Sequence, residues 1–89
     1  MKIHGVLLRV GGDRMNLDFD TWPTLEQLQG FVGGFVSMLI VDPTGTKPCQ
    51  MVVDEDGLLK KLDLNEEATA LAGQPIVGDA ILFDGIGVK

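Results

Sequence analysis

The chain is poor in the side chains that carry most catalytic and metal chemistry. Its 89 residues include one cysteine, one histidine and no tyrosine. Cys49 alone cannot form an intramolecular disulfide, and Cys49 with His4 falls short of a Cys/His zinc set. Basic residues are scarce too. The seven, at Lys2, Arg9, Arg14, Lys47, Lys60, Lys61 and Lys89, are scattered and outnumbered by 13 acids, for a net charge of −6. Gripping a nucleic-acid backbone takes clustered Lys and Arg, so direct DNA or RNA binding is not expected. A small anion asks less, because one or two cations and a few backbone N–H groups hold a phosphate. Long apolar runs are also missing. The longest, residues 31–41, contains Ser37 and two glycines and is too short to cross a bilayer. Met1 opens directly onto a strand-like run with no signal-peptide pattern, so no membrane association is expected and the cytoplasm is the expected compartment.

Apolar character, by contrast, is ample. Hydrophobic residues make up 45% of the chain, charged residues 22%, and the mean hydropathy is +0.22. The length fits a single domain, 1–89, burying roughly 60–65% of its extended-chain surface. So small a body has much surface to cover. The apolar excess therefore points either to an interface between copies of the chain or to ordinary exposed aliphatics on a monomer. A homo-oligomer is the expectation carried forward.

"KIHGVLLRV" reads as a first strand ending at a Gly11-Gly12-Asp13 turn, and "RMNLDFD" alternates with Met15, Leu17 and Phe19 on one face, so the two form a hairpin. At "TWPTLEQLQGF" the period lengthens. Thr24 is placed to cap a helix with Gln27 as its capping-box partner, Leu25, Leu28 and Val32 share a face, and Gly33 is set for a left-handed C-cap. "FVSMLIVD" is nearly all apolar, which predicts a central strand covered on both faces. After the loop "PTGTKPCQ", "MVV", "DEDG" and "LLKKLDL" read as a second hairpin, with Asp56-Gly57 supplying the positive backbone angles of its turn. "NEEATALAG" is a short helical turn capped by Asn65, started by Glu66 and Glu67 and ended by Gly73. "IVGDAILFDG" is a last strand. The sum is α+β: a mostly antiparallel sheet of about five strands, one main helix and one short helical turn.

No motif for metal, phosphate or catalysis is complete. With Gly57 at the sixth position of a calcium loop, Val52 would stand first, where a ligand oxygen is needed. "GGFVSM" lacks the Lys-Ser/Thr pair of a P-loop, and its glycines follow a helix rather than a strand. His4 has no evident orienting partner, and nothing beside Cys49 would activate its thiol. No enzyme, metal or cofactor is expected. What remains are small and polar residues at element ends: Gly33, Gly34, Asn65, Ala68, Thr69, Gly78 and Asp79. Singly, each has an ordinary structural use. Together they mark places where backbone closely approaches a strand, a subunit or a ligand.

Four segments, "LEQLQGFVGG", "MVVDEDGLLKKL", "LNEEATALAG" and "IVGDAILF", resemble a family of small phage and plasmid proteins, a domain of unknown function. Its pattern is a helix ending Val-Gly-Gly, a "VNEEGK"-type hairpin, Asn-x-x-Ala and Ile-x-Gly-Asp. Here these fall on Val32-Gly33-Gly34, on Asp54 to Gly57, on Asn65 and Ala68, and on Ile76, Gly78 and Asp79. The chain departs from it at Asp54, where an Asn is expected, and at Phe35-Val36-Ser37, where the family often carries an acid.

The resemblance implies a phage setting, where small proteins frequently counter host defence. The expectation is a non-catalytic anti-defence protein that binds and sequesters a small nucleotide-like signal in the host cytoplasm. Arg9, Arg14, Lys60 and Thr69 would serve phosphates, and Phe31, Phe35, Trp22 and Met38 bases. The expected ligand-binding set is Gly33, Gly34, Phe35, Asn65, Ala68, Thr69, Gly78, Asp79 and Arg9. The alternative is an acidic protein-interaction module that inhibits a host enzyme, as a DNA mimic in one form.

Overall fold

A computed structural model describes residues 2–85. Met1 and Lys89, named above, lie outside the described residues. Five strands form one sheet: β1 (Ile3–Leu8), β2 (Arg14–Phe19), β3 (Val36–Val41), β4 (Cys49–Asp54) and β5 (Ala80–Phe83). Their order is β2-β1-β5-β4-β3 and every neighbouring pair is antiparallel. Helix α1 (Leu25–Val32) follows β2, and α2 (Glu66–Ala72) precedes β5. The α+β expectation holds.

Both faces of the sheet are covered, one by each helix. Strand side chains alternate between faces. Ile3, Leu7, Leu17, Val52, Ile81 and Phe83 join Leu28 and Val32 of α1 in one buried cluster. Leu8, Met51, Val53 and Ala80 join Ala68 of α2 and Ile76 in the other. The rings of Phe19 and Trp22 lie 6.2 and 5.4 Å from that of Phe83. Phe83 in turn crosses Gly5, where a Cβ would come within 3.1 Å of the ring.

The caps follow from the sequence. Thr24 Oγ1 accepts from Gln27 N–H at 3.2 Å while Gln27 Oε1 accepts from Thr24 N–H at 2.8 Å, closing the capping box. Gly33 ends α1 in the left-handed conformation at φ +92°, and its N–H donates to Gln29 O.

Four expectations are corrected. First, "LLKKLDL" forms no strand. Residues 55–61 wind through successive turns, with Lys60 N–H on Asp56 O and Leu62 N–H on Gly57 O. Only Leu64 makes an isolated bridge, to Val77. Second, β3 is an edge strand rather than a central one, and β5 holds the centre. Helix α1 packs against β3, but most of the strand is only half-buried and Ile40 is exposed, so its apolar run does not mark cover on both faces. Third, Gly57 is not among the positive-φ residues. It is needed for space, because a Cβ there would lie 2.8 Å from Val77 Cγ2 and 3.3 Å from Val77 O. Fourth, Leu25 is exposed, and half-buried Phe31 packs against the core beside Leu28 and Val32 instead.

Candidate functional site

The antiparallel register gathers every predicted site residue at one end of the sheet. Leu8 near the end of β1 faces Ala80 at the start of β5, while Asp54 at the end of β4 faces Val36 at the start of β3. The N-cap of α2 and the C-cap of α1 arrive at the same end. Asn65 there bonds Leu8 O, and Lys60 spans Gly33 and Asp54.

Asn65 is the buried centre of this end. Its Nδ2 donates to Leu8 O at 2.8 Å and Gly78 O at 2.9 Å, and its Oδ1 accepts from Ala68 N–H at 3.1 Å. Ala68 is fully buried beneath it. Thr69 Oγ1 accepts from Ile76 N–H at 2.9 Å and donates to Ile76 O at 3.3 Å. Gly78 turns at φ +79°, and Asp79 Oδ1 accepts from Val10 N–H at 3.0 Å. Asn65, Ala68, Thr69 and Gly78 thus tie α2 and the β5 entry to β1. Asn65 and Ala68 offer nothing outward, and the two bonds to Ile76 occupy the hydroxyl of Thr69.

The outward groups are cations and one ring. Arg9 Nε stands 3.7 Å from Asp79 Oδ2, Arg14 pairs with Glu67, and Lys60 Nζ reaches Asp54 Oδ2 at 2.8 Å and Gly33 O at 3.4 Å. Asp54 is the buried member, its side chain 1% exposed, and its other oxygen accepts Asp56 N–H at 2.8 Å. Phe35 stands 65% exposed beside Lys60, while Arg14 lies at the opposite edge of the sheet, on β2. The other rings proposed for bases, Phe31 and Trp22, and Met38 with them, are half-buried against the core.

Two depressions open at this end. One, of about 410 Å³, is lined by Gln29, Gly34, Phe35, Asp56 and Lys60. The other, of about 220 Å³, is lined by Val10, Val32, Leu62, Asp63, Gly78 and Asp79. Gly34 keeps the first open to the Lys60 ammonium, with which a Cβ at Gly34 would collide. Sequence reasoning missed Asp56 as a wall here and Asp54 as the buried partner of Lys60. The Lys60–Asp54 spacing would have been visible only to a reader who knew that 55–61 curls back.

Away from this end, His4 does have an orienting partner, contrary to expectation: its Nδ1 donates to Asp18 Oδ1 at 3.0 Å across the β1–β2 pair, with both side chains exposed. Among the described residues no three His, Cys, Asp or Glu side chains converge as metal ligands would. No helix there is long and apolar enough to cross a membrane. No protein family, no curated protein and no solved structure matches the chain.

Proposed function

We propose that the protein is a non-catalytic phage anti-defence protein that binds a small nucleotide-like signalling molecule at this end of the sheet and withholds it. The observation that carries the reading is the pairing of the Lys60 ammonium with the exposed Phe35 ring around one depression, with the solvent-reaching Arg9 and Arg14 further along the same end of the sheet. A ring face supports a base and the cations support phosphates. Each cation already holds a carboxylate, so an anionic ligand must displace or share Asp79, Glu67 or Asp54. That demand favours ligands with more than one phosphate, and the resemblance to phage and plasmid proteins supplies the setting.

The test incubates the pure protein with cyclic di- and trinucleotides and cyclic ADP-ribose isomers, washes it, and releases bound compound by heat. Intact compound recovered in proportion to protein is the expected result, and recovery of none overturns the reading. Phe35→Ala removes a stacking face worth about 1–3 kcal/mol, so retention should weaken by roughly 5- to 150-fold while the fold persists.

A second reading, an interaction module that inhibits a host enzyme, draws on Leu58 and Leu59, which are exposed on the 55–61 turn. Its DNA-mimic form is poorly supported, because cations on Arg9, Arg14, Lys47 and Lys60 interrupt the acids. A stoichiometric host protein captured together with failed nucleotide retention would favour it.

A further inference from the structure

We infer that two copies of the chain pair through the free edge of β3, antiparallel about a two-fold axis at Met38, joining two five-stranded sheets into one of ten. This does not depend on the ligand reading, although Phe35 takes part in both.

The backbone comes first. Antiparallel ladders alternate hydrogen-bonded and non-bonded pairs, so alternate residues of an edge strand aim N–H and C=O outward. The phase of β3 is fixed twice. Glu55 N–H donates to Phe35 O at 2.8 Å, so the residues bonded to β4 are in step with Phe35: Ser37, Leu39 and Val41. Gln50, opposite Ile40, sends its own N–H the other way, to Gly85 O at 2.9 Å. Val36, Met38 and Ile40 therefore carry the outward donors and acceptors. Among the described residues no backbone group bonds them from outside.

This set is complementary to itself. With the axis at Met38, Met38 meets the partner's Met38, Val36 meets the partner's Ile40 and Ile40 the partner's Val36. Every outward group then finds a partner, in six hydrogen bonds. Moving the axis to Leu39 keeps each side chain on its own face of the sheet, but it sets Val36 against the charged Asp42. The Met38 register is the one that uses all three outward residues.

The side chains agree. Natural edges are guarded by charge, proline or bulges. The other edge, β2, is guarded: "RMNLDF" carries Arg14 and Asp18. "VSMLIV" carries no charge, no proline and, by its unbroken register with β4, no bulge. Its cross-strand neighbours in the dimer would be Phe35 with Val41, Val36 with Ile40, Ser37 with Leu39 and Met38 with itself, so no charge faces another. Two bodies of −6 repel, and they can meet closely only along an uncharged margin such as this. Ile40, 61% exposed, and Leu58, which shares a depression of about 210 Å³ with Ser37 and Leu39, flank the strand with apolar surface. An occupant other than a second copy would need a strand of matching length brought by another protein. The chain already carries one.

The test is hydrogen exchange and sedimentation on the whole protein. The expected mass is twice 9.6 kDa, with the amides of Val36, Met38 and Ile40 slowed at least about tenfold on going from dilute to concentrated protein. The amides of Ser37, Leu39 and Val41 should be protected at both concentrations. Ile40→Lys should give a monomer with an unchanged circular-dichroism spectrum and intact nucleotide retention, if the native protein retains any. A native protein that stays monomeric, even-numbered amides that exchange freely at every concentration, or a folded Ile40→Lys that still dimerises each overturns the inference. Should Ile40→Lys not fold, the exchange pattern of the native chain decides alone.

Discussion

The Asn65 amide makes three hydrogen bonds in a space closed to water. One of them, Oδ1 to Ala68 N–H, is the helix cap. The other two go to the carbonyls of Leu8 and Gly78. Asn65→Ala should therefore cost more than a lost cap. The cap alone is worth about 1 kcal/mol, and stranding buried carbonyls adds about 1–3 kcal/mol, so the sum is roughly 3 kcal/mol. Asn65→Asp separates the contributions: it keeps the cap but turns a carboxylate toward two carbonyl oxygens. In urea unfolding, Asn65→Asp should be at least as unstable as Asn65→Ala. An aspartate variant close to wild type would mean that the cap is the whole role. At this scale the sequence was half legible. Asn65 announces a cap through the Glu66-Glu67 start that follows it. Its bond to Leu8, 57 positions away, belongs to the tertiary fold and leaves no local trace.

Glycines show the same division at the scale of elements. Gly33 and Gly73 were readable as C-caps because each stands where a periodic apolar run stops, and both adopt the left-handed conformation. Gly34 and Gly57 serve by leaving space, and only the packed structure says against what. Neither has a positive φ, so sterics alone decide what a methyl group costs there. At Gly57 the methyl would meet Val77 Cγ2 at 2.8 Å and Val77 O at 3.3 Å, a stiff branched side chain and a backbone atom. At Gly34 it meets first the Lys60 ammonium, the far end of a flexible side chain that can swing aside. Gly57→Ala should therefore lower stability by about 1–3 kcal/mol and Gly34→Ala by under about 1 kcal/mol. Thermal melts of the two variants check the order, and equal losses would show that the 55–61 turn yields as readily as a lysine. The same turn is where strand reasoning failed. "LLKKLDL" has strand-like leucines, but the ion pair of Lys60 with buried Asp54 and the bond from Leu62 N–H to Gly57 O curl the segment. β3 was legible as a strand but not as an edge. Its apolar content points to a strand, whereas the order of strands depends on where β5 inserts, 40 residues later.

For the whole molecule, charge gives the two proposals opposite signs. Two copies of a chain of net charge −6 repel at long range, while the β3 margin that joins them is uncharged. Added salt screens that repulsion over the Debye length, about 30 Å at 0.01 M and about 3 Å at 1 M, and leaves backbone hydrogen bonds and apolar contacts in place. Self-association should therefore tighten as ionic strength rises. A phosphate-bearing ligand depends on the contrary term, the local pull of Arg9, Arg14 and Lys60, all partly exposed and so open to screening. Its retention should weaken over the same range. Sedimentation and ligand retention measured side by side at low and high salt separate the two. Dimerisation that fades with salt would mean that charged pairs, not the β3 edge, hold the copies together. Retention that rises with salt would mean that the Phe35 ring and apolar contact, not the cations, hold the ligand.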